Sequence, residues 1–72
     1  MEVSADQLQL VATALYVLQR AEPIWFCNYK TFKAMSYERQ IQWWLHAQQM
    51  SDQGLPMYRT LISKVTELRM NQ

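Results

Sequence analysis

Residues 36–58 read SYERQIQWWLHAQQMSDQGLPMY, and they decide the fold. They hold a helix start, a helix interior, a stop and a second start in succession. Ser36 offers a hydroxyl to a first-turn amide, and Glu38 sits where the helix dipole favours negative charge. The spacing predicts a helix over 37–50. It places Tyr37, Ile41, Trp44, Leu45 and Gln48 along one side, with Trp43, Ala47 and Met50 on a neighbouring stripe. Ser51-Asp52-Gln53-Gly54 predicts a turn, with Gly54 ending the helix in a left-handed conformation. Pro56 suits the first position of the next helix, where its missing N–H removes no hydrogen bond. That helix, over 56–70, turns Met57, Leu61, Val65 and Leu68 inward, sets Tyr58 and Ile62 at the edge, and gives Arg59, Ser63, Lys64 and Glu67 to water.

Towards the N-terminus, Ser4 predicts another helix start, with Gln7 three residues on able to complete a reciprocal cap. Leu8, Val11, Leu15 and Leu18 recur at helical spacing, and Leu10, Ala14, Val17 and Ala21 form an adjacent stripe. The helix over 5–21 is therefore expected to be the most buried element. Glu22-Pro23 interrupts the pattern, because proline disrupts a helix interior. A further element is expected over 23–34. Trp25, Tyr29 and Phe32 follow at helical spacing, yet these aromatics are also strand formers, which leaves helix and irregular structure both open.

One glycine and two prolines in 72 residues argue against an all-β chain, which needs many tight turns. Nine glutamines, with many leucines, alanines and methionines, favour helix instead. The expectation is one all-α domain over 1–72, a bundle of three to four short helices over 5–21, 23–34, 37–50 and 56–70. Short connections favour antiparallel neighbours.

The same composition narrows the chemistry. Cys27 is the only cysteine, so no internal disulfide exists. Nucleophilic catalysis needs a nucleophile, a base and an orienting group together. The chain offers one Cys27 and one His46 on different expected elements, and Cys27 lies in an aromatic segment that suits a structural thiol. The six carboxylates are scattered, which is poor material for paired acid–base work. A metal site needs three or four ligands at set spacing, and a phosphate loop needs more than one glycine. The expectation is a protein that is no enzyme and holds no cofactor or metal.

The net charge of +1 advertises neither nucleic acid nor membrane. Residues 1–29 balance at −2 and residues 30–72 at +3, with the basic residues dispersed. The uncharged run 7–19 is interrupted by glutamines and is shorter than the roughly 20 apolar residues of a membrane span. The N-terminus lacks the basic region that opens a signal peptide, so a cytoplasmic location is expected.

The aromatic content is the positive signal. Trp43 and Trp44 are consecutive and point about 100° apart on a helix, so a narrow bundle core cannot fully enclose both. Tryptophan, tyrosine and arginine anchor protein interfaces. The expected function is a small interaction module — a regulator, adaptor or inhibitor — that binds a larger protein, or itself as a homodimer, through an aromatic helix face. The residues expected to carry it are Trp43 or Trp44 as anchor, with Tyr37, Arg39 and Trp25 beside them. The alternative is a helix-turn-helix-like DNA-binding regulator using helix 56–70, with Arg59, Thr60, Ser63 and Lys64 towards the duplex. Affinity for DNA rests on neutralising phosphates, and this helix has few cations for that.

Overall fold

Among the described residues four helices follow one another: α1 (Ala5–Ala21), α2 (Tyr29–Ala34), α3 (Tyr37–Asp52) and α4 (Pro56–Met70). The structure is a computed structural model that describes residues 3–21 and 29–71. The expected bundle of short helices is what the chain forms, and all regular structure among the described residues is helical. The expected element over 23–34 is helical from Tyr29. Its earlier part, with Trp25 and Cys27, lies outside the described residues.

The ends of the helices follow from local chemistry. The Gln7 N–H donates to Ser4 Oγ at 3.1 Å, and the Arg39 N–H to Ser36 Oγ at 3.2 Å, so both serine hydroxyls cap a first turn as expected. α3 runs two residues beyond the expected end, through Ser51 and Asp52. Its stop is built on Gly54 at φ +89°. The Gly54 N–H donates to Ser51 O at 2.9 Å and the Leu55 N–H to Met50 O at 3.2 Å, the paired bonds that close a helix C-terminus on a left-handed glycine. Pro56 then opens α4, and no side chain caps that start.

α2 has only six residues, too few to be stable as an isolated helix. Tertiary contacts hold it. Phe32 is fully buried, the Gln19 side-chain oxygen of α1 accepts from the Tyr29 N–H at 2.9 Å, and the Gln40 Nε2 of α3 donates to Phe32 O at 2.9 Å. A glutamine from each neighbouring helix thus satisfies one end of the short one.

The core is a single cluster. Leu8, Val11, Ala12, Ala14, Leu15 and Leu18 of α1 meet Phe32, Trp44, Ala47, Leu61 and Val65 of the other helices, with Val3 at one end. α1 is accordingly the element with most buried residues, as its pattern predicts. The Cα radius of gyration of 11.2 Å is about what a compact chain of this length gives.

Met57, expected inward, and three members of the expected apolar stripes, Leu45, Val17 and Ala21, are exposed. Met57 is exposed, because in the first turn of α4 the side towards α3 is taken by Tyr58, which lies edge-on to His46 with centroids 6.3 Å apart. Leu45 is exposed, since Trp44 and Ala47 define the buried line of α3 and Leu45 lies to one side of it. Val17 and Ala21 also face out, because the other helices cover α1 on its Leu8–Val11–Leu15–Leu18 face.

Candidate functional site

The structure separates the residues expected to carry binding. Trp44 is 2% exposed, with its ring in the core, so it is a packing residue and not a surface anchor. Trp43 is half-buried and packs edge-on against Phe32, centroids 5.4 Å apart at 70°. Only one of the two consecutive indoles is enclosed, in keeping with their 100° separation. Tyr37 is 53% exposed, and its hydroxyl donates to Val3 O at 3.3 Å. Arg39 is exposed on the same helix turn. Trp25 lies outside the described residues. The expected Trp43–Trp44 patch is therefore not one exposed face.

A different aromatic surface takes its place. Tyr16 of α1 and Tyr29 of α2 meet edge-to-face with centroids 5.4 Å apart at 74°. The Arg20 guanidinium lies 5.8 Å from the Tyr16 ring centroid, a cation–π distance. Both tyrosines, with Gln9 and Thr13, line a cleft of about 210 Å³. Gln9 also lines a second cleft of about 140 Å³ that reaches Lys33, Gln40 and Tyr37. The two clefts share Gln9, with Tyr16 lining the first and Tyr37 the second. On α1 this surface is the stripe Gln9, Thr13, Tyr16, Arg20, at spacings of four, three and four residues. That stripe is legible in the sequence once the apolar face is set aside. Tyr16 escapes a reading that follows the apolar stripe alone.

The other polar concentration lies on the opposite face of α1. Gln7 turns inward instead of back to the Ser4 N–H, so only half of the expected reciprocal cap forms. With its amide assigned so that the oxygen faces the donors, Gln7 Oε1 accepts from Trp44 Nε1 at 3.2 Å and from Arg69 Nη2 at 2.9 Å. This ties α1, α3 and α4 together, and no spacing in the sequence connects residues 7, 44 and 69. A cleft of about 270 Å³ opens beside this cluster.

Among the described residues, no group of three His, Cys, Asp or Glu side chains is placed to hold a metal ion. No helix there is long and apolar enough to cross a membrane. No family model matches the chain, and neither a curated protein nor a solved structure shows significant similarity to it.

Proposed function

We propose that the chain is a non-enzymatic protein-interaction module, a small regulator, adaptor or inhibitor, that binds a larger protein through the tyrosine face of α1 and α2. The observation that carries this reading is Tyr16, 45% exposed yet held between Tyr29 and Arg20. A ring already fixed by its neighbours loses little conformational freedom on binding. Tyrosine and arginine are also the residue types that concentrate binding energy at interfaces. The cleft between the tyrosines suits an apolar side chain, and Arg20 suits a carboxylate beside it. Self-association through the same face belongs to this reading, because a small domain gains stability from a partner.

Nothing observed favours duplex binding by α4. Of the residues that reading turns towards the duplex, Lys64 pairs with Glu67 at 3.0 Å and the Thr60 hydroxyl donates to Pro56 O at 3.0 Å.

The test compares the wild-type chain with Tyr16→Ala and, as a control at a distant exposed apolar residue, Met70→Ala. A partner recovered by affinity purification with the wild type and Met70→Ala, but lost with Tyr16→Ala while its unfolding curve stays cooperative, supports the reading. Equal recovery by all three sinks it. Sedimentation of the same proteins reports whether the partner is a second copy.

A further inference from the structure

The cleft between α3 and α4 has a built-in charge axis. Its floor is apolar, with Trp44 and Val65 both buried. Gln48, Ser51 and Asp52 of α3 line one side; Ile62, Thr66 and Arg69 of α4 line the other. Gln7 holds both Trp44 and Arg69, so Arg69 sits at the Trp44 end. Asp52 is eight residues further along α3, about 12 Å at the helical rise of 1.5 Å per residue. A cation therefore stands at one end of the cleft and an anion at the other.

Neither charge has an ion-pair partner among the described residues. The ion pair among the described residues is Lys64–Glu67, and neither Arg69 nor Asp52 takes part in it. The bond to Gln7 occupies one of the five guanidinium N–H groups of Arg69, which leaves donors for a carboxylate. Gln48 carries both a donor and an acceptor, and Ser51 a hydroxyl that does either. These are the groups that the N–H and C=O of an extended backbone need. The Thr66 hydroxyl donates to Ile62 O at 3.0 Å and keeps only acceptor capacity.

We propose that this cleft receives an extended peptide segment of a partner protein, with a carboxylate at the Arg69 end and a lysine or arginine at the Asp52 end. An extended chain covers roughly 3.3–3.6 Å per residue, so a span of about 12 Å takes three or four residues. A free amino acid is too short to meet both charges. A nucleic-acid strand would bring phosphate against Asp52. This surface lies on the opposite side of α1 from Tyr16, because positions 7 and 16 are nine residues apart, about 180° around the helix after whole turns are removed. The inference stands or falls apart from the tyrosine face.

The test follows the three indole N–H resonances of the ¹⁵N-labelled full chain, assigned by through-bond experiments. The probe is the capped tetrapeptide acetyl-Asp-Ala-Ala-Lys-amide. The expected result is a saturable shift of the Trp44 Nε1–H. Affinity should fall at least about tenfold for the probe with asparagine and glutamine in place of its charged residues. Asp52→Lys should lose the Asp/Lys probe and gain acetyl-Asp-Ala-Ala-Asp-amide. Asp52 is exposed at the C-terminal end of α3, where a cation is favoured by the helix dipole, so this variant keeps its fold. No saturable shift with the Asp/Lys probe, an equal shift with the uncharged probe or with free alanine, or an unchanged preference in Asp52→Lys would each overturn the proposal.

Discussion

The carboxamide of Gln7 accepts the indole N–H of Trp44 at 3.2 Å, joining the first turn of α1 to the buried centre of α3. A buried N–H left without a partner is strongly unfavourable, so this contact matters more through its loss than through its presence. Gln7→Leu should destabilise the fold by about 1–3 kcal/mol, the penalty for an unsatisfied buried donor. Gln7→Glu keeps an acceptor and adds charge opposite Arg69, so its loss should be smaller. In a Gln7→Leu/Trp44→Phe pair the donor is gone, and the combined effect should be less than the sum of the two. Urea unfolding of the wild type, Gln7→Leu, Trp44→Phe and the pair measures this, and strict additivity would refute the coupling.

Gly54 gives a second prediction. A Cβ there would meet no atom within 4 Å, so space is not the constraint; the φ of +89° is. Gly54→Ala should cost about 1 kcal/mol, from holding an L-residue in the left-handed region. Gly54→Asn should cost less, since asparagine tolerates that conformation. Equal midpoints for alanine and glycine in urea unfolding would show that the helix stop does not depend on this backbone geometry.

Phe32 fixes α2 to α1 and α3. Because its ring is fully buried, Phe32→Ala should remove about 3–5 kcal/mol, a large part of what a domain of this size has. The expected outcome is a much lowered unfolding midpoint by circular dichroism. Phe32→Leu, which keeps much of the volume, should fold, with faster amide exchange over Tyr29–Ala34 than elsewhere. Uniformly faster exchange would mean that α2 opens only with the whole bundle.

Tyr16 and Trp44 should behave in opposite ways. Tyr16→Ala gives up an exposed edge-to-face pair worth about 0.5–1.5 kcal/mol and leaves a folded chain. Trp44→Ala empties a core site and should lose about 3–5 kcal/mol. Thermal unfolding separates them. A Trp44→Ala protein as stable as Tyr16→Ala would contradict the core role of Trp44.

The Lys64–Glu67 pair is a third-turn neighbour contact on an exposed face. Glu67→Gln should change stability by no more than about 0.5 kcal/mol, as exposed helical pairs do. A larger change in low-salt urea titrations would mean that the pair is coupled to something beyond its own turn.

Local chemistry determined the helices. The Ser4 and Ser36 hydroxyls, the left-handed Gly54, Pro56 and the apolar periods act over a few residues of chain. They therefore placed α1 and α4 at the expected bounds and missed the end of α3 by only two residues. Which side of each helix is covered was decided by tertiary packing. Consecutive residues such as Trp43 and Trp44 differ by about 100° in direction, and only the arrival of α1 and α4 against α3 encloses one indole and leaves the other at the edge. The same holds for Gln7, Trp44 and Arg69, and for Tyr16 and Tyr29. Their meeting depends on how whole helices cross, and periodicity within one helix carries no information about that.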